Sequence, residues 1–266
     1  MSKKYRFIYI MAFNLDNVGR PVCKIEGGKY NNKIVSLFTE DDPDISKRFN
    51  SLKLTGAKFH VLPDIDPVQE KQRDILYITG PSGSGKSTYT ANYMQKYKRI
   101  LKNNPIYLFS ALSEDSVLDE YNPQRILIDE RMITEPFAVE DFKDSMVIFD
   151  DIDVISDKNI KEAVYQLLNE ILETGRHHNV TAIVTNHLPT NGQNTKRCLN
   201  ESKYITYFPF SGSSRAVKYL LTEYLGLDKK DIERIKKTKS RWATIYTRYP
   251  NFCITETEMF IFGDDE

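Results

Sequence analysis

The chain carries no surplus of charge: 37 Lys and Arg balance 37 Asp and Glu over 266 residues. That balance excludes a basic nucleic-acid packer and an acidic disordered tail, and leaves room only for local basic stripes. Cysteine is scarce, and Cys23, Cys198 and Cys253 stand far apart with no C-x-x-C pair. Neither a zinc ribbon nor a disulfide framework is expected, and a reducing compartment suits such usage. No run of 18 apolar residues occurs, so no membrane-spanning helix is expected. The apolar stretch near the start, Tyr5–Phe13, is short and soon meets Asn14 and Asp16, so it is not read as a signal peptide. Internal repeats and low-complexity tracts are also missing. What remains, 40% hydrophobic and 28% charged residues, is the composition of a soluble globular chain, expected in the cytoplasm rather than secreted.

Short apolar runs at Tyr5–Phe13, Pro21–Ile25 and Lys33–Phe38, punctuated by Gly27-Gly28 and Asn31-Asn32, predict a β-rich N-terminal region. A polar stretch, Thr39–Arg48, separates them from Leu52–Leu62. Pro63, Asp64, Asp66 and Pro67 resemble a linker, so the expected domains are 1–68 and 69–266, with the boundary near residue 68. Beyond it the pattern alternates. Strands are expected at Ile75–Thr79, Ile106–Phe109, Arg125–Ile128, Met146–Phe149, Val180–Thr185 and Tyr204–Phe208. Helices are expected at Ser87–Arg99 and over 159–174, where Ile160, Val164, Leu167, Leu168, Ile171 and Leu172 recur at helical spacing before Gly175 as a C-cap. Alternation of this kind predicts an α/β core with a mainly parallel sheet. An α+β extension follows: helices at Arg215–Leu225 and Lys229–Lys239, then strands at Arg241–Thr247, Phe252–Thr255 and Met259–Phe262.

Gly80-Pro81-Ser82-Gly83-Ser84-Gly85-Lys86-Ser87 fits the phosphate-loop pattern G-x-x-x-x-G-K-[ST] between an expected strand and an expected helix. Glycines let the backbone fold into a nest of N–H donors, and the helix N-terminus adds partial positive charge. Lys86 is expected on the β- and γ-phosphates of ATP, Ser87 on Mg2+, and Thr88 near the α-phosphate. Met146-Val147-Ile148-Phe149-Asp150-Asp151 supplies the complementary carboxylates at a strand end. Asp150 is expected to hold Mg2+ and Asp151 to orient or deprotonate the attacking water. Asp153 is read as a helix N-cap or a surface acid.

Taken together, GPSGSGKS, VIFDD, TGRHHNVTAIVTNH and KRCLNESKYITYFPF resemble the poxvirus-like genome-packaging ATPases of large DNA viruses, within the FtsK–HerA group. The resemblance covers roughly residues 73–225, with the paired Asp and the Gly-Arg-His-His-Asn segment as its most telling parts. It implies a RecA-like core, Mg2+-dependent ATP hydrolysis, a homo-oligomeric ring, and movement of double-stranded DNA into a capsid. Capsid or portal-like proteins then join the expected partners, and the expected location becomes host cytoplasm or virion. Matched by position, Arg176 would be an arginine finger acting in trans; equally, it is a cation at a helix C-terminus. Asn186 matches a polar sensor position often held by glutamine. Arg197, in an expected polar loop, matches an arginine of the family that contacts DNA or a neighbour, or else is a solvated loop cation.

His177, His178 and His187 show no acidic or cysteine partner at ligand spacing, so a metal cluster is not expected. The basic stretches at Lys96–Lys102 and Lys229–Arg241 are the visible candidates for phosphate-backbone contact, although most charge runs are solvated helix faces. Trp242, the single tryptophan, is expected in the core. Two other functions use a phosphate loop: a small-molecule kinase, and a nucleotide-switched assembly protein. The tandem Asp150-Asp151 favours water as the acceptor over either.

Overall fold

The computed structural model describes residues 12–38, 47–65, 73–190 and 192–263. The start of the first expected strand, most of the Thr39–Arg48 stretch and the expected boundary near residue 68 lie outside the described residues. Two sheets organise the chain. The smaller is antiparallel, with strands β1 (Ala12–Asn14), β2 (Arg20–Gly27), β3 (Ile34–Phe38) and β5 (Ala57–Val61) in the order β1-β3-β2-β5. The strand between them in sequence, β4 (Ser51–Lys53), belongs to the other sheet, where it pairs with the last strand of the chain. The chain crosses between the sheets at Thr55-Gly56, where Gly56 takes φ +64°, a left-handed value that glycine adopts without steric cost.

The larger sheet has ten strands. Its parallel part contains β6 (Ile75–Thr79), β7 (Ile106–Ser110), β8 (Gln124–Leu127), β9 (Met146–Phe149), β10 (Thr181–Asn186) and β11 (Tyr204–Tyr207). Their spatial order is β11-β6-β10-β9-β7-β8, so β6 lies between the last two parallel strands of the sequence. The antiparallel part adds β12 (Ala243–Tyr246), β13 (Phe252–Thr255) and β14 (Glu258–Ile261) beside β11, with β4 at the edge. Residues of β6, β9 and β10 are buried on both faces, which their continuous apolar runs demand.

Alternation along β6 divides the core. Ile75 and Tyr77 face a cluster built on α3 (Lys158–Thr174), with α4 (Gln193–Glu201) beside it. Leu76 and Ile78 face α1 (Lys86–Ile100) and the apolar side of the small sheet, including Phe13, Ile25 and Phe59. Short helices α2 (Arg131–Thr134), α5 (Ser214–Tyr219) and α6 (Lys229–Lys237) complete the fold, α5 continuing as a wider turn over Leu220–Tyr224. The α3 helix starts where Asp157 accepts from the N–H groups of Asn159 and Ile160, both at 2.9 Å. At its other end Gly175 has φ −56°, a right-handed value, so conformational freedom is not why glycine stands there. A Cβ at that position would come within 2.8 Å of Arg73 Nη1. Arg73 donates to the carbonyls of Ile171 and Leu172, and it, not Arg176, is the cation that caps α3.

One sequence expectation is corrected here. Arg197 is not in a loop but on α4, paired with Glu173 of α3 at 3.1 Å. Among the described residues no helix is long and apolar enough to cross a membrane.

Candidate nucleotide-binding site

Four parallel strands end side by side, and the candidate site sits on that edge. Residues 80–85 leave β6 and re-enter as α1, with Gly83 at φ +74° and Gly85 at φ +110°. These are left-handed values that an L side chain resists, so the loop requires glycine at both. Gly80 is fixed for another reason. A Cβ there would meet the Phe208 ring and Ser84 Oγ, each at 2.7 Å.

The loop suits an anion. No side chain caps α1, no acid stands in its first turn, and Gly85 occupies its N-cap. The first N–H groups of this 15-residue helix are therefore left to whatever enters the loop. Ser84 Oγ is buried and has no partner among the described residues. Lys86 is buried, donating to Gly80 O at 2.9 Å and pairing with Asp151 Oδ1 at 3.2 Å. Ser87 donates to Asp115 Oδ2 at 3.2 Å, bringing a third carboxylate to the site.

The two aspartates after β9 converge on one hydroxyl. Thr185 Oγ1 lies 2.9 Å from Asp150 Oδ1 and 3.1 Å from Asp151 Oδ1, and it accepts from Asp151 N at 2.8 Å. Consecutive strand residues would point to opposite faces. Here Asp151 takes φ +48°, and this left-handed turn lets both carboxylates reach the same group. Asp150 is buried, with Ser110 Oγ donating to its other oxygen at 3.4 Å. Burial first, and the charge of Asp151 second, raise its pKa above the ordinary carboxylate range. A buried carboxylate near Asp115, the acid that holds the Ser87 hydroxyl, and next to a phosphate-type loop, offers with Ser87 an all-oxygen donor set that fits a hard cation such as Mg2+.

Two of the expected residues, Asn186 and Arg176, lie elsewhere. Asn186 is buried at the end of β10, but on the face of Tyr77, and its amide donates to Tyr77 Oη at 3.1 Å. Tyr77 in turn donates to Leu188 O at 3.0 Å, so Asn186 helps to seat the loop after β10. The residue that faces the aspartates is its neighbour Thr185. Arg176 is exposed and precedes β10, at the sheet edge opposite the phosphate loop, so it cannot serve its own chain's loop. Pro81, Ser82 and Thr88 lie on the loop and first turn, with Ser82 and Thr88 exposed.

Two further expectations change. Asp153 is neither a helix cap nor a surface acid: it is almost wholly buried and accepts from His187 N at 2.9 Å and Leu188 N at 3.1 Å. His187 does acquire acidic neighbours, Asp151 at 3.4 Å and Asp153 at 3.7 Å, and the three side chains are close enough to share a cation. Sequence distance hides this, because β9 and β10 bring residues 151 and 187 together only by pairing. Ser110, Asp115, Thr185 and Phe208 were missed for the same reason. Only the position of Ser110 and Thr185 at apolar strand ends hinted at them.

No sequence-family model matches the chain. Among solved structures, the cytoplasmic domain of the type VII secretion ATPase EccC of Thermomonospora curvata is similar at a TM-score of 0.50 and 12% identity, over 81% of this chain and 29% of that one. The genome-packaging NTPase B204 of Sulfolobus turreted icosahedral virus 2, in complex with AMPPCP, is similar at a TM-score of 0.41 and 14% identity, over 68% of this chain and 92% of that one. With the strand order and the loop after β6, the fold is that of a P-loop NTPase with a RecA-like core. The uncharacterized protein V3 of the Sputnik virophage is 40% identical over 246 residues, 91% of this chain and 96% of its own length. Identity of that extent places the chain in the same family as the virophage protein V3.

Proposed function

We propose that the protein hydrolyses ATP and uses the energy to move double-stranded DNA, packaging a viral genome. The observation that carries the hydrolytic part is the constellation of Lys86, Asp150, Asp151 and Thr185 around the glycine loop. In this reading the loop N–H groups and Lys86 bind the β- and γ-phosphates. Ser87 and Asp150 would hold Mg2+, which when bound neutralises phosphate charge. Asp151, anchored through Thr185 and Lys86, orients the attacking water and accepts its proton. A water acceptor agrees with a site that holds three carboxylates and one buried lysine.

The DNA-moving part draws on the sequence resemblance to packaging ATPases and on the viral family to which the chain belongs. It entails a ring, because Arg176 lies too far from its own phosphate loop and would reach only a neighbour's. Zero net charge fits such an assembly, since a few Lys and Arg repeated around a pore suffice for backbone contact. The test is the ATPase rate per subunit against protein concentration, with and without double-stranded DNA. The rate should rise with concentration and again with DNA. A rate flat in both sinks the motor and leaves, at most, an isolated hydrolase.

A further inference from the structure

A cleft of about 180 Å3 opens beside the phosphate loop. Gly85, Thr88 and Asn92 form one side, Arg241 and Trp242 another, and Lys58 of the small sheet a third. Gly85, Thr88 and Asn92 share a face of α1 by their spacing. Seven residues of helix span roughly 10 Å, about the length of a nucleoside, so the cleft runs from the loop outward at that scale. Its volume is below the roughly 300–1,000 Å3 of pockets that enclose whole drug-sized ligands. One planar base with part of its ribose suits it better.

The walls have the chemistry of a base site. The Trp242 indole stands edge-to-face with Tyr89 at 5.2 Å, and the Tyr89 hydroxyl bonds Thr244 at 2.7 Å, which holds that ring in place. The Phe208 ring closes the end next to Gly80 and Gly85. On the rim, the Asn92 amide is exposed and has no partner among the described residues. An amide offers a donor and an acceptor together, the pair that an adenine edge complements. Lys58 is held by Glu256 at 2.9 Å, and Glu256 also accepts from Arg241 N at 2.8 Å. The small sheet is thereby fastened to the segment just before β12 that carries Trp242.

We infer that this cleft binds the purine base of the nucleotide whose phosphates enter the loop, and that the small N-terminal sheet forms one wall of the base site through Lys58. The inference rests on the ATPase reading of the phosphate loop and assigns the N-terminal sheet a role that reading leaves open. Trp242 is then a built-in reporter, since it is the only tryptophan.

The test compares ATP with inorganic tripolyphosphate, which has the phosphates and no base. On the full chain both should bind in calorimetry, and only ATP should change Trp242 emission. Asn92→Trp and Lys58→Trp, each at an exposed position, fill the cleft from opposite walls. Each should weaken ATP about tenfold or more, a loss of about 1.4 kcal/mol per factor of ten, and leave tripolyphosphate unchanged. If ATP binds without altering Trp242 emission, or if either variant binds ATP as the unaltered chain does, the base lies elsewhere and the inference falls while the ATPase reading stands. If the unaltered chain binds neither ligand, the ATPase reading fails and takes this inference with it.

Discussion

Asp150 is a residue at which stability and chemistry oppose each other. Its carboxylate is buried beside Asp151, and its pKa is raised, chiefly by desolvation, despite the hydroxyl of Thr185 and the charge of Lys86. A raised carboxylate pKa means that the folded chain retains a proton which the unfolded chain has released. The stabilising contribution is complete below the unfolded value and is lost as pH rises through the folded one. At neutral pH the ionised group is thus a net cost to the fold when no cation neutralises it. Asp150→Asn should raise the thermal midpoint of the nucleotide-free protein at pH 7 by a few degrees, given about 2–4 °C per kcal/mol for a chain of 150–250 residues. The gain should vanish near pH 4, and Mg2+-dependent hydrolysis should be lost at every pH. Melting curves across that range, with ATPase assays beside them, check both halves. A lower midpoint at pH 7 would show that the carboxylate stabilises the fold instead. Thr185→Val probes the same centre differently. It removes the hydroxyl shared by both aspartates, so hydrolysis should fall by about tenfold to a hundredfold, as for a group that positions a general base. ATP affinity, set by the loop, should stay within about twofold of the unaltered chain in the same calorimetric titration.

Between elements, the site depends on how the turn after β9 is tied to the loop after β10. Asp153 makes that tie with its backbone-directed carboxylate, and Lys161 Nζ supports the turn by donating to Asp153 O at 2.6 Å. Asp153→Ala leaves two N–H donors without their acceptor, at a cost of about 1–3 kcal/mol. Urea unfolding should register that loss, and hydrogen exchange at His187 and Leu188, just past β10, should quicken before that of the strand itself. Unchanged exchange at those two amides would remove Asp153 from this role. The same region explains what could be read from the sequence. Phosphate loop, apolar strands and α3 were legible because each is local: glycines at a fixed spacing before Lys86-Ser87, short continuous apolar runs, a 3.6-residue period. The helix α4 was not, since Cys198 and Leu199 give its buried side too few apolar residues to set a period. Thr185, Ser110 and Asp115 were illegible because only strand order brings them to Asp150 and Ser87. Sequence match points to Asn186 for the sensor position, whereas strand alternation turns its neighbour Thr185 toward the aspartates and Asn186 toward Tyr77.

At the scale of the molecule, the N-terminal region is woven into the rest of the chain. Strand β4 closes the large sheet against β14, and Leu54 and Phe59 donate to Thr257 O and Glu256 O, both at 2.8 Å. The apolar side of the small sheet shares one core with α1 and β13, where Phe13 meets Phe252 edge-to-face at 5.4 Å. A polar seam reinforces it. Arg20 bonds Asp64 at 3.1 Å and Tyr246 Oη at 2.6 Å, while Lys203 reaches Asp64 at 3.4 Å. A domain that folds alone needs a core of its own, and contacts across its boundary should be few. Here the buried side chains of the small sheet find many of their partners in the large one. We therefore expect residues 1–68 and 69–266 to unfold together. Heating should give one transition, with Trp242 emission and far-ultraviolet circular dichroism sharing a midpoint. A chain shortened to residues 69–266 should lose β4, uncover Phe252 and Met259, and either aggregate or melt far below the full chain. Two resolved transitions, or a stable and nucleotide-binding shortened chain, would restore an independent N-terminal domain and detach it from the nucleotide site.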